Sequence, residues 1–206
     1  MTDPISTTGR KLAIDDIVDV RAYERKRSEF RTHVIALKKK RRVHVGPVVT
    51  FLFENRDTIR FQIQEMVRVE RIITDEGIQA ELDIYNPLIP EPGQLCTTMF
   101  LELTTEDELR NWLPKLVGIE TMIELRLGED ADRDVVPCHV DPDHAKLLTR
   151  DETTASVHYV TFSLTAAQVA RFERGPVALA VTHPAYEEST VLAEETVAEL
   201  LRDLRP

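Results

Sequence analysis

The chain has 206 residues, a formal net charge of −10 and 42% hydrophobic residues, proportions typical of a soluble globular protein with a sizeable core. No apolar run approaches the roughly 20 residues that a membrane-spanning helix requires. The N-terminal segment MTDPISTTGRKLAIDD lacks the apolar core of a signal peptide. Together with only two cysteines, Cys96 and Cys138, these features predict a cytoplasmic protein with reduced thiols and no membrane association.

The charge is unevenly distributed along the chain. Residues 1–45 contain 12 Lys and Arg against 6 Asp and Glu, whereas residues 46–206 contain 14 against 30. The acidic remainder repels nucleic acid, so we do not expect the basic tract at residues 38–42 to bind it. The opposite charges can attract each other within one chain or between chains, and we predict a homo-oligomer.

The front half has the pattern of a long helix, a strand and two further helices. A Gly46-Pro47 pair interrupts the strand and predicts a bend or a hairpin turn. The expected elements are a helix from Asp15 or Asp16 to about residue 42, a strand over 43–54, and helices over about 55–73 and 74–86.

A proline-rich stretch marks the clearest linker. Pro87, Pro90, Pro92 and Gly93 fall within seven residues. They divide the chain into an N-terminal lobe, residues 1–92, and a second lobe, residues 93–206, unless the two form one co-folded domain.

A strand-helix-strand pattern then occurs twice. Capping boxes at Thr105–Glu108 and Thr165–Gln168 start the two helices. Repeated strand-helix-strand units are the order of a ferredoxin-like sandwich, with residues 128–155 joining the halves. We therefore predict an α+β fold with a long N-terminal helix, a helix-strand-helix front half, a ferredoxin-like β-α-β/β-α-β sandwich and a C-terminal helix over about residues 191–204.

The predicted functional surface is the polar segment Glu54–Glu65, which begins where the first buried strand ends. It comprises Arg56, Asp57, Arg60, Gln64 and Glu65. Two arginines four residues apart can bind a carboxylate, which favours a site for a small anionic ligand or substrate. The alternative is an internal polar network that fixes the first helix to the strand, because buried polar groups require partners.

A second candidate site is the group Cys138, His139 and His144. Thiolate and imidazole bind zinc or iron, so the group suggests a metal-binding redox module, although its spacing matches no recognised motif. The alternative is an acidic, solvated loop. His183, before a proline, can serve a turn or extend a ligand site. No motif identifies a catalytic residue or a cofactor, which favours a non-enzymatic protein.

Residues 33–66, HVIALKKKRRVHVGPVVTFLFENRDTIRFQIQEM, together with the later segments TDEGIQAELDIYNPLIP and LPKLVGIE, resemble the bacterial family of domain of unknown function DUF3501. The resemblance covers most of the chain and is strongest over about residues 30–120. The family carries no assigned activity, so no residue role transfers. Its gene neighbourhoods include rubrerythrin-like and iron–sulfur proteins, which implies an accessory or interaction protein in a peroxide- or redox-linked system, with a redox protein as partner.

Overall fold

The computed structural model describes residues 10–129, 132–141, 149–150 and 152–205. The helices are α1 (Val20–Arg41), α2 (Arg56–Glu70), α3 (Asp75–Tyr85), α4 (Glu106–Trp112), α5 (Ala166–Arg174) and α6 (Glu194–Leu204). The strands are β1 (Arg42–Val45), β2 (Val49–Phe53), β3 (Gln94–Leu101), β4 (Ile123–Leu127), β5 (Asp134–His139), β6 (Thr149–Arg150), β7 (Thr153–Thr154), β8 (Val157–Ser163), β9 (Val177–His183) and β10 (Tyr186–Val191).

Within the described residues, eight strands form one antiparallel sheet in the order β1-β2-β3-β8-β5-β4-β9-β10. Strands β6 and β7 pair separately. The two edge strands, β1 and β10, approach each other through side chains. Tyr186 Oη donates to Val45 O at 2.7 Å, and Thr190 Oγ1 donates to His44 O at 2.7 Å. The sheet is therefore rolled into a nearly closed cylinder.

The turn between β1 and β2 makes this closure possible. Gly46 adopts φ +66°, and a Cβ at this position would collide with the Tyr186 hydroxyl and the Glu188 side chain. Only glycine meets both requirements without strain. The Gly46-Pro47 pair is thus the turn of a β1–β2 hairpin.

The larger apolar core fills the rolled sheet. Alternate residues of β2 and β3 contribute to it, including Phe51, Phe53 and Met99, which are fully buried. Phe172 of α5 and Leu200 of α6 belong to the same cluster. Because side chains alternate along a strand, the intervening residues of β2 and β3 lie on the outer face of the sheet.

A second, smaller core joins the N-terminal segment to helices α2 and α3. Ile17 packs with Ile59, Ile63 and Leu82, and Tyr159 of β8 borders the cluster. The neighbours of Tyr159 along β8 point into the larger core, so this second cluster lies on the outer face of the sheet. A helical layer therefore covers strands β2, β3 and β8 from outside.

The predicted ferredoxin-like sandwich is wrong. Strand β5, which lies in the segment assigned as a connection, is inserted between β8 and β4. Strand β9 pairs with β4 and β10, whereas a ferredoxin-like order would place it beside β3. The hairpin β1–β2 lies in the predicted N-terminal lobe, residues 1–92. It nevertheless pairs with β3 of the second lobe and extends the same sheet. Neither β5 nor β10 has a counterpart in the predicted fold.

The long helix α1 begins later than predicted. Asp19 caps it by accepting hydrogen bonds from the backbone N–H groups of Arg21 and Ala22, whereas Asp15 and Asp16 lie in a short 3₁₀ turn. None of the helices in the described part of the chain combines the length and apolar character needed to cross a lipid bilayer.

Candidate functional site

Helix α2 starts directly after β2 and carries most of the residues that the sequence singled out. The Asn55 side chain accepts from Thr58 N at 3.0 Å, and Asn55 N donates to Thr58 Oγ1 at 2.9 Å. This capping box fixes the direction of the helix relative to the strand. The helix then contacts the N-terminal segment, α1 and the outer face of the sheet with different sides.

One side of α2 holds the N-terminal segment. Arg56 Nη2 pairs with Asp16 Oδ1 at 2.6 Å, and Arg60 Nε donates to Asp16 O at 3.0 Å. Gln64 donates to Val18 O and accepts from Val18 N, at 2.8 and 3.1 Å. Burial opposes ionisation of Asp16, but the Ala13 N–H group and Arg56 keep its pKa below the ordinary value. Both arginines predicted to bind an anion therefore contact Asp16.

Glu65 forms the centre of a network with α1. Its carboxylate accepts from Arg27 Nε and Nη2 at 2.8 and 2.9 Å, from Tyr23 Oη at 2.6 Å and from Arg68 Nη2 at 3.1 Å. The hydrogen bonds from Arg27, assisted by Tyr23 and opposed by burial, lower the pKa of Glu65 to about 2. This carboxylate is fully engaged by protein groups.

Asp57 pairs with His33 Nε2 at 3.0 Å near the surface. Each of the five predicted site residues thus has an intramolecular partner, and they do not converge on one pocket. This geometry corresponds to the internal-network alternative. Binding of an anionic ligand by these residues stays a prediction.

The candidate metal ligands Cys138 and His139 are neighbours on β5, whereas His144 lies outside the described residues. Neighbouring strand residues point to opposite faces, so the two side chains diverge. Cys138 Sγ donates to Glu120 O at 3.3 Å, and burial raises the pKa of its thiol. The described residues contain no group of three ligands suited to a metal ion. The three-residue site stays a prediction.

His183 lies at the end of β9 and has partners on both ring nitrogens. The Ala185 N–H donates to Nδ1 at 3.1 Å, and Nε2 lies 3.2 Å from Val117 O. The first contact holds the turn between β9 and β10, and the second joins the end of β9 to the segment that precedes β4. His183 does not line the cavity between the sheet and helices α1 to α3.

A cavity of about 230 Å³ lies between the outer face of the sheet and helices α1 to α3. We call it the helix–sheet cavity. It combines aromatic and aliphatic walls with a few polar groups, the usual composition of a small-molecule site. Its lining residues are Lys38, Leu52, Glu54, Thr58, Ile59, Gln62, Tyr85, Leu88, Thr98, Phe100, Val157 and Tyr159.

Glu54 is the buried charge of this cavity, with only 7% of its surface exposed. Its carboxylate accepts from Thr58 Oγ1 at 2.5 Å and from Thr98 Oγ1 at 2.7 Å. The Glu54 backbone is held by Cys96 O and by Arg41, at 2.8 and 3.0 Å. Among the residues that the structure describes, no cation lies within 4 Å of this carboxylate.

The basic tract before β1 is only partly neutralised. Lys40 pairs with Glu195 at 3.0 Å, and Arg42 pairs with Glu102 at 3.4 Å. Lys38, half-buried in the last turn of α1, lines the helix–sheet cavity and has no ion pair within the described ranges. Lys38 and Glu54 therefore share one cavity without contacting each other.

Arg41 in the same tract is fully buried. It donates to Phe53 O at 2.8 Å and pairs with Glu199 at 3.1 Å and with Asp203, both on α6. Burial raises the pKa of Asp203 although Arg41 opposes the rise. This network fixes the C-terminal helix to the end of α1 and to Glu54.

Two tyrosines complete the polar part of the cavity. Burial raises the pKa of Tyr159, and the nearby Tyr85 and Glu54 raise it further. The Tyr159 phenol therefore stays protonated at neutral pH and keeps its hydroxyl donor.

The sequence identified this region without identifying the cavity. Glu54 and Gln62 belong to the predicted polar segment Glu54–Glu65, and a carboxylate directly after an apolar run is a usable signal. Lys38, Thr98 and Tyr159 come from distant parts of the chain, and no local pattern links them to Glu54.

Comparisons with known proteins agree with the resemblance seen in the sequence. The model of the family described as "Protein of unknown function (DUF3501)" matches residues 11–204. The chain belongs to the DUF3501 family. A crystal structure of a protein of unknown function from Burkholderia pseudomallei K96243 is similar, with 36% sequence identity and a TM-score of 0.85. The match covers 94% of this chain and 99% of that chain. The comparison with curated proteins finds no match.

Proposed function

We propose that this DUF3501 protein is a small-molecule-binding protein and that the helix–sheet cavity is its binding site. The observation that carries the proposal is the Glu54 carboxylate, which lines the cavity, is almost fully buried and has no cationic partner among the described residues. Burial of an uncompensated carboxylate is costly, so a ligand that neutralises it gains a strong interaction.

The chemistry of Glu54 selects the ligand group that meets it. A carboxylate offers about four acceptor positions, and the hydroxyls of Thr58 and Thr98 occupy two of them. The complementary group is therefore an ammonium or another N–H donor. The apolar walls formed by Leu52, Phe100 and neighbouring residues suit a short hydrocarbon portion.

The size of the cavity limits the ligand. A volume of about 230 Å³ is below the range of roughly 300–1,000 Å³ that holds drug-sized molecules. At about 30 Å³ for each water, it corresponds to roughly eight waters. A compact organic amine fits these limits.

Saturation-transfer NMR with n-butylamine and n-butanol at pH 7 tests the proposal. These probes have similar shapes and differ in charge, so butylammonium should bind at least about tenfold more tightly because its hydrogen bond to Glu54 is charge-assisted. Glu54→Gln should remove this preference. Glu106→Gln is the matched control because it makes the same change at an exposed residue, the first of α4.

Equal binding of the two probes to the wild-type protein would overturn the proposal. Loss of the preference in Glu106→Gln as well as in Glu54→Gln would also overturn it, because the effect would then come from overall charge.

We also propose that copies of this protein associate through oppositely charged helix surfaces. Arg25 and Arg31 of α1 are exposed and have no ion pair within the described part of the chain. Exposed Asp75 and Glu76 begin α3 and are likewise unpaired there. The basic surface of one copy complements the acidic surface of another, which gives a head-to-tail contact.

Light scattering at increasing NaCl concentration tests self-association. The expected result is an assembly that dissociates as salt screens the contact. The variants Arg25→Glu/Arg31→Glu and Asp75→Lys/Glu76→Lys should each be monomeric, and an equimolar mixture should associate again. A wild-type protein that is monomeric at low salt would contradict the proposal.

A further inference from the structure

We propose that the ligand of the helix–sheet cavity is zwitterionic, with an ammonium group at Glu54 and an anionic group at Lys38. This inference rests on the proposed function and specifies its ligand class. It is carried by two opposite charges that line one cavity and are more than 4 Å apart. Neither Glu54 nor Lys38 has an ion pair within residues 10–129, 132–141, 149–150 and 152–205.

Lys38 is positioned to receive an anion. Its Nζ lies 5.9 Å from the centroid of the Phe61 ring, so the ammonium sits beside an aromatic face on the side of α2. At this distance the ring attracts the cation only weakly and leaves its three N–H donors available. The half-buried position of Lys38 strengthens any ion pair formed there relative to one in bulk water.

The neighbouring cations show what Lys38 lacks. Lys40, Arg41 and Arg42 pair with carboxylates of the same chain, and Lys39 is exposed to solvent. Lys38 lines the cavity instead, and Glu54, the carboxylate among the lining residues, is held by Thr58 and Thr98. A molecule with both charges bridges the two residues and satisfies them together.

The bridging geometry predicts a dependence on ligand length. A ligand whose charged groups are too close cannot reach both residues, and one that is too long must fold inside the cavity. The probes are β-alanine, 4-aminobutyrate and 6-aminohexanoate, each compared with the alkylamine and the alkanoate of the same carbon number.

Dissociation constants measured by saturation-transfer NMR at pH 7 test the inference. In the wild-type protein, one member of the zwitterion series should bind at least about tenfold more tightly than its matched amine. Lys38→Met keeps the apolar part of the side chain. It should lower the affinity for that zwitterion to the affinity for its matched amine. Lys39→Met removes the same charge from the exposed next residue and should leave binding unchanged.

The possible failures are distinguishable. If amines bind in a Glu54-dependent manner but no zwitterion exceeds its amine and Lys38→Met changes nothing, the zwitterion inference is lost and the cavity site stands. If neither amines nor zwitterions lose affinity in Glu54→Gln, the proposed function fails, and this inference fails with it.

Discussion

Glu65 and Glu54 lie eleven positions apart, and their carboxylates have opposite surroundings. Glu65 accepts hydrogen bonds from Arg27, Tyr23 and Arg68, and the two arginines balance its charge. Glu54 is more deeply buried, yet only two hydroxyls contact it within the described structure. A dense group of charged residues is therefore not itself evidence of a site, because its members can satisfy one another.

Arg41 and Lys38, three residues apart on α1, show the same contrast between a charged group with protein partners and one without. Arg41 is buried and pairs with two carboxylates of α6, whereas Lys38 lines the cavity without an ion pair among the described residues. We interpret the satisfied groups as structural and the unsatisfied groups as binding groups. The following predictions test that division, from the largest expected effect to the smallest.

Arg41→Met should cause the largest loss of stability. The variant removes the ion-pair partner of Asp203 and leaves the buried Glu199 with only the exposed Arg202, and breaking a buried ion pair costs about 3–5 kcal/mol. Urea unfolding followed by circular dichroism measures the change. Arg42→Met, which disrupts only the exposed pair with Glu102, should cost less than about 1 kcal/mol. Equal losses in the two variants would contradict a special role for Arg41.

Glu65→Gln should destabilise the protein by about 1–3 kcal/mol, because a neutral amide cannot accept the charge-assisted hydrogen bonds of Arg27 and Arg68. Ligand binding in the helix–sheet cavity should stay within about twofold of wild type, since the Glu65 carboxylate is directed at α1. The measurements are urea unfolding and probe NMR on the same preparation. A selective loss of probe binding with unchanged stability would reverse the assignment.

Acid should weaken the Glu65 network. The pKa of Glu65 falls from 4.5 to about 2 on folding, so the folded state binds fewer protons between these values. Its contribution of roughly 3 kcal/mol is present above pH 4.5 and is lost as the pH falls toward 2. The free energy of unfolding, measured from pH 6 to pH 2.5, should fall less steeply in Glu65→Gln than in wild type. Parallel curves would show that the network does not titrate in this way.

Glu54→Gln should have the smallest effect on stability, within about 1 kcal/mol of wild type. The amide retains an acceptor for one threonine and removes a buried charge that has no cationic partner among the described residues. Urea unfolding measures this difference from Glu65→Gln directly. A loss as large as that of Arg41→Met would make Glu54 a structural residue.

Local features of the fold were predictable from the sequence. The capping boxes at Thr105 and Thr165 start α4 and α5 as predicted, and α2 and α3, capped by Asn55 and Thr74, begin close to the predicted positions 55 and 74. Each of these signals involves residues within one helical turn. Family membership was also predictable, because the resemblance extends along most of the chain.

The site was only partly predictable. The segment that begins at Glu54 was singled out correctly as a region rich in polar groups, but the five residues named there contact other parts of the chain. Three residues spaced by four, Arg56, Arg60 and Gln64, turn toward the N-terminal segment. The side of α2 that faces the cavity carries Thr58 and Gln62. Sequence spacing separates these sides but does not show what covers each of them.

The sequence by itself determined the family, the starts of helices α2 to α5 and the break at Gly46-Pro47, because these depend on contiguous residues and on backbone geometry. The tertiary structure decided the strand order and the closure of β1 against β10. It also placed Lys38, Glu54, Thr98 and Tyr159 in the lining of one cavity. Such contacts depend on which distant strands pair and which helix covers them, and that choice is made by the free energy of the whole chain rather than by any local segment.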